Sequence, residues 1–252
     1  MGLFDTNYGQ SQPVAPEVPQ MPQAPQPTHA QFGQAARIPK AISERHVACV
    51  FLLDVSGSMN ANGAIDKLNK GIASFGEHMQ SDPRTADVVD VAVVTFGAKV
   101  EVAHNFRPVS EMDVPNLTAH GATPLGEALK KALELIDERK NVYKRSGTPY
   151  YRPWIFCITD GAPTDDCSYA ATKLKEEENN KRLLGYCVYV GSGNAPPDVK
   201  QIFNNGRIFM LDGLDFSGLF EFVSNSLTAV SQSNPNSESI NVKIPRTITL
   251  AM

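Results

Sequence analysis

The sequence predicts an α/β protein built on a doubly wound, mostly parallel central sheet with one short antiparallel edge strand. From Val47 onward, apolar runs alternate with amphipathic helical stretches, the pattern of a sheet covered by helices on both faces. The runs are almost free of polar residues, as strands buried on both faces must be. Turns rich in Asp, Ser and Gly follow the ends of two of them, at Asp54 and at Thr159-Asp160-Gly161, where open α/β sheets gather their ligands.

The first strand covers residues 47–53. Ile65, Leu68, Ile72, Phe75 and Met79 follow at alternating steps of three and four, so they line one face of a helix that stops before Asp82-Pro83. Residues 88–96 form a second strand, and residues 100–106 a short one after the Gly97-Ala98 turn, too tight for anything but antiparallel pairing. A helix over residues 124–138 carries Leu125, Leu129, Leu133 and Ile136 on one stripe, with Pro124 in its tolerated first position. Residues 154–159 make a third core strand. A polar helix at 166–181, a strand at 183–190, a short helix at 197–203 and a strand at 207–211 follow. Phe216, Leu219, Phe220, Val223, Leu227 and Val230 share one side of the last helix.

These elements place one domain at 43–233, between a disordered extension at 1–42 and a loose tail at 234–252. In the extension Pro13, Pro16, Pro19, Pro22 and Pro25 recur every third residue, the period of a polyproline II helix, which serves as a spacer or as a ligand for an aromatic groove. A formal charge of -4, a pI near 5.7 and the lack of a basic stripe exclude a nucleic-acid backbone as the main ligand. The longest apolar run falls far short of the roughly 20 residues a spanning helix needs, and the first residues lack a secretion signal. The expected location is therefore cytoplasmic, with no membrane partner. Cys49, Cys157 and Cys187 sit inside apolar runs, Cys167 follows a turn, and no C-x-x-C pair suggests zinc or redox chemistry.

Three segments carry chemistry. Asp54-Val55-Ser56-Gly57-Ser58 brings one carboxylate and two hydroxyls to a turn, Gly121-Ala122-Thr123-Pro124-Leu125 puts a hydroxyl at a helix start, and Thr159-Asp160-Gly161 adds a second carboxylate. All are hard oxygen donors, suited to Mg²⁺ or Mn²⁺ rather than to a soft metal. Taken together and in this order, the segments resemble the metal ion-dependent adhesion site of von Willebrand factor type A domains, a Rossmann-like fold. The resemblance implies that Ser56, Ser58 and Thr123 touch the metal while Asp54 and Asp160 hold it mainly through water. It also implies a protein-interaction module whose partner supplies an Asp or Glu to the ion.

Asp82-Pro83-Arg84, Arg152-Pro153-Trp154, the run from Thr159 to Asp165, and Ser224, Ser226 and Ser231 further resemble the tellurium-resistance TerY/YegL-like group. That likeness covers residues 47–233 and implies a bacterial stress-response setting, tellurite resistance or phage defence, with kinase-like or phosphatase-like partner proteins. Two other readings compete: a Mg²⁺-dependent phosphohydrolase built on Asp54, and a scaffold subunit with a structural metal. The first would need a second Asp where Ser56 stands and a lysine near the later acidic motif. No general base, activated nucleophile or oxyanion donor set is evident, so the chain reads as a binding module and not an enzyme. Asp165 and Asp166 read as caps of the following helix or as extra ligands, His120 as a rim residue or an ordinary loop histidine, and Glu176, Glu177 and Glu178 as a solvated helix face.

Overall fold

The computed structural model describes residues 39–191, 194–203, 205–233 and 245–250. The predicted extension thus lies outside the described residues except for its last four, which bend and turn toward the first strand. The elements are β1 (Val47–Asp54), α1 (Ala64–Gln80), α2 (Pro83–Val88), β2 (Val89–Phe96), β3 (Val100–Pro108), α3 (Leu125–Ser146), β4 (Trp154–Thr159), α4 (Ser168–Asn179), β5 (Leu184–Val190), α5 (Pro197–Ile202), β6 (Ile208–Leu211), α6 (Phe216–Ser231) and β7 (Ile248–Leu250).

The strands form one sheet in the order β3-β2-β1-β4-β5-β6-β7. Its five inner strands are parallel, and the doubly wound, mostly parallel arrangement is the one the sequence predicts. β3 is the expected antiparallel edge. Strand β1 shows why the sheet is covered twice. Val47, Cys49, Phe51 and Leu53 enter a core with α1 and α6, while Ala48, Val50 and Leu52 enter a second core with α3, α4 and α5. The period of two sends successive side chains to opposite faces, and both faces are apolar. Phe51 anchors the first core, its ring 5.1 Å from Phe75, 5.9 Å from Phe156 and 5.7 Å from Phe220.

Three features differ from the sequence reading. Residues 248–250, assigned to the loose tail, pair antiparallel with β6 as a second antiparallel edge, and Ile248 is buried there. Three residues are too few for an alternation to be read. Residues 234–244 and 251–252 lie outside the described residues. The short α2 follows Asp82, whose side chain accepts from the Arg84 amide at 3.2 Å, with Pro83 at the first turn. Helix α3 runs to Ser146, where Gly147 takes a left-handed φ of 69°. It runs past the expected end because Arg139, which breaks the apolar stripe, is itself buried.

Arg139 is buried because it has a partner. Asp90, alone charged in β2, accepts from Tyr143 Oη at 2.5 Å, lies 2.8 Å from His46 Nδ1 and pairs with the Arg139 guanidinium at 2.7 Å. All four side chains are fully buried. Such a cluster adds little net stability, but removing one partner strands a buried charge at a cost of about 3–5 kcal/mol. It ties β2 to α3 and to the residue that enters β1. No helix among the described residues is long and apolar enough to cross a membrane.

Candidate metal centre

Parallel strands β1 and β4 end side by side, so Asp54 and the Thr159-Asp160 pair arrive at the same rim of the sheet. Asp54 is fully buried. One of its carboxylate oxygens accepts from the Ser56 amide at 2.8 Å and the other from Thr159 Oγ1 at 2.6 Å. Ser56 Oγ lies 2.9 Å from Ser58 Oγ, and Ser58 Oγ donates to Asp160 Oδ1 at 2.6 Å. Four of the five sequence-predicted residues therefore form one hydrogen-bonded set that climbs from buried Asp54 and Ser56 to exposed Ser58 and half-buried Asp160.

Thr123 comes to the same place through the backbone. The Gly57 amide donates to Gly121 O at 3.0 Å, the His120 amide to Val55 O at 2.7 Å, and the Ala98 amide to His120 O at 2.9 Å. Gly121 sits at φ 86°, and a Cβ there would stand 2.3 Å from the Ala98 amide nitrogen, so only glycine lets the loops close this tightly. A Cβ on Gly161 would stand 3.3 Å from Thr123 Oγ1, which puts that buried hydroxyl against the turn bearing Asp160. The Thr164 amide donates to Thr123 O at 3.0 Å and Thr164 Oγ1 accepts from the Thr123 amide at 3.1 Å, locking this contact.

Burial pushes the Asp54 carboxyl above its ordinary range; hydrogen bonds from Thr159 and Ser56 oppose that, and the neighbouring Asp160 charge adds to it. Neither Asp54 nor Asp160 has a cationic side-chain partner among the described residues. No group of three or more His, Cys, Asp or Glu side chains among those residues is placed to hold a metal ion, and the candidate set consists of two carboxylates and three hydroxyls.

Residues 49–162, which span this whole constellation, match the family model described as von Willebrand factor type A domain. The match covers under half of the chain and is a likeness of this segment to that family. No curated protein matches the sequence. Among solved structures, the chain is similar to proximal thread matrix protein 1 of the mussel byssus at 18% identity and TM-score 0.52, covering 73% of this chain and 46% of that one. It is also similar to the pilus adhesin SpaC of Lactobacillus rhamnosus GG, at 11% identity, TM-score 0.58 and coverage of 74% and 31%. The vWF domain of the type V pili tip protein Mfa5 of Porphyromonas gingivalis gives 11%, 0.57, and coverage of 78% and 99%. These likenesses show the fold. The chain spans less than half the length of the first two.

Around this site the remaining acidic residues take other work. Asp165 accepts from the Gly126 and Glu127 amides at 2.9 and 2.8 Å, so it caps α3 and not the helix that follows it in sequence. Asp166 does cap locally, accepting from the Ser168 amide at 2.9 Å. Glu177 and Glu178 are not a solvated face: Glu177 pairs with Lys140 and Arg182, and Glu178 with Arg207. His120 is exposed on the loop before Thr123. A cleft of about 280 Å³ opens beside Asp160, lined also by Ala61, Val190 and Leu214; periodicity could not have shown it, since four separate segments build it.

Proposed function

We propose that the domain holds one Mg²⁺ or Mn²⁺ with Asp54, Ser56, Ser58, Thr123 and Asp160 and offers it to a carboxylate of a partner protein, without catalysing a reaction. The observation that carries this reading is the unbroken chain Asp54, Ser56, Ser58, Asp160, in which two carboxylates share one site with no counter-cation among the described residues. Such a pair is electrostatically incomplete, and a divalent cation completes it. Adjacent oxygens around an octahedral ion with bonds of about 2.1 Å stand about 3.0 Å apart. Ser56 Oγ and Ser58 Oγ are already 2.9 Å apart, so both can turn onto one ion with little movement.

When bound, the ion supplies a Lewis-acidic charge that two carboxylates and neutral hydroxyls leave open to a further oxygen. The residues divide the remaining work. Asp54 and Ser56 form the buried floor, Thr159 orients Asp54, and exposed Ser58 and Asp160 leave the upper side accessible. The cleft beside Asp160 gives a partner's side chains apolar contact next to the ion. No histidine or lysine among the described residues hydrogen-bonds to Ser56, Ser58 or Thr123, which supports binding over nucleophilic catalysis.

We assign this activity to the bacterial cytoplasm, in a tellurite-resistance or phage-defence response with a kinase-like or phosphatase-like partner. The support is the likeness of the Asp82-Pro83-Arg84, Arg152-Pro153-Trp154 and Thr159-to-Asp165 segments to the TerY group, and the four free cysteines agree with a reducing compartment. The test of the metal site is thermal melting in Mg²⁺ against EDTA. A ligand at a hundredfold excess over Kd stabilises by about 2.7 kcal/mol, so the melting temperature should rise, and Asp54→Ala should remove the rise. An equal rise in Asp54→Ala would refute the assignment.

A further inference from the structure

The strands' amino ends, opposite the metal rim, gather charge of the other sign. Arg45 lies two residues before β1, Arg152 two before β4, and Lys181 and Arg182 just before β5, while Lys140 and Lys144 reach the same place from α3. With Asp137 and Glu177 they line one cleft of about 590 Å³. Six cations against two carboxylates leave it at +4 within a chain of net -4. We propose that this cleft is a binding site for a small oligophosphate.

Its cations are not all spent on the protein itself. Lys140 and Arg182 share Glu177, and Lys140 also lies 3.5 Å from Asp137. Arg45, Lys144, Arg152 and Lys181 have no carboxylate partner among the described residues. Two of these four are held in position. The Arg45 guanidinium donates to Tyr150 O at 3.3 Å and lies over the Tyr151 ring at 5.3 Å. Lys181 takes a φ of 55° at the end of α4, a position that favours glycine, and the resulting turn brings it and Arg182 together to the cleft wall.

The choice of ligand follows from the lining. A cleft of this volume suits a small molecule. Arginine forks beside lysines match phosphoryl oxygens, whose charge is denser than that of a carboxylate. A peptide would need a free strand edge or an apolar anchor. β1, β4 and β5 are all interior strands, and the two tyrosine rings are already engaged, Tyr150 against Tyr143 at 5.0 Å and Tyr151 beneath Arg45.

The experiment is isothermal titration at low salt with EDTA present, so that no ion at the opposite rim can bridge to phosphate. Sodium tripolyphosphate and ADP are titrated separately, and tighter binding of one tells an inorganic from a nucleotide source. We expect one-to-one binding that weakens as NaCl is raised. The Lys144→Glu/Arg152→Glu double variant, changed at two exposed positions, should lose at least about tenfold in affinity. Lys67→Glu/Lys70→Glu, which makes the same charge change on α1, should stay within about twofold, as net charge alone is screened at that distance. Lys181→Asn removes a charge while keeping a residue that tolerates the turn, and should also weaken binding. Absence of binding to both phosphates, equal loss in the two double variants, or tighter binding of an oligoglutamate peptide than of tripolyphosphate would overturn the proposal.

Discussion

At Asp54, burial and hydrogen bonding pull the carboxyl in opposite directions, and burial prevails. With its folded pKa raised above the ordinary 3.8, this residue contributes stability that is complete below that value and is lost as pH rises through the folded pKa. A bound cation needs the carboxylate and so repays that loss. The Mg²⁺-dependent rise in melting temperature should therefore shrink as pH is lowered, beginning at a higher pH than an ordinary Asp would set. A rise independent of pH down to 3.8 would count against Asp54 as part of the site. The five candidate residues were legible because each sits in a short contiguous motif. The Asp90 cluster was not, because His46, Arg139 and Tyr143 come from distant segments. A signal did exist, since one Asp inside the apolar run Val89–Phe96 must find a partner if it is buried.

Elements were legible where an apolar run or a helical stripe is long, as in β1, α1, β4 and α6, and the pairing of β1 with β4 brings Asp54 and the Thr159-Asp160 pair to one rim. What the sequence could not show was how loops interlock. The capping of α3 by Asp165 crosses from one loop to another helix, and nothing local in Pro163-Thr164-Asp165 distinguishes it from a cap of α4. The loop bearing Thr123 depends on Gly121, with φ 86° and the Ala98 backbone in the space a Cβ would fill. Gly121→Ala should cost about 1–3 kcal/mol and displace Thr123, so metal affinity should drop while the two cores persist. Denaturant melts beside Mn²⁺ titration would check this. A variant with unchanged affinity would show that Thr123 is positioned by Thr164 and the α3 start alone.

Across the whole molecule, one sheet separates two chemistries: oxygen donors at the carboxyl ends of β1 and β4, and a basic cleft at the amino ends of β1, β4 and β5. Composition hides the second, because six cations spread from Arg45 to Arg182 look like ordinary surface charge until the parallel strands align them. The metal site at the carboxyl ends is tested most directly by anomalous diffraction from a crystal of the protein grown with Mn²⁺. A single strong peak is predicted, within coordination distance of the hydroxyls of Ser56, Ser58 and Thr123, with Asp54 and Asp160 around it. A peak at Asp165 and Asp166 instead, or none at saturating Mn²⁺, would contradict it.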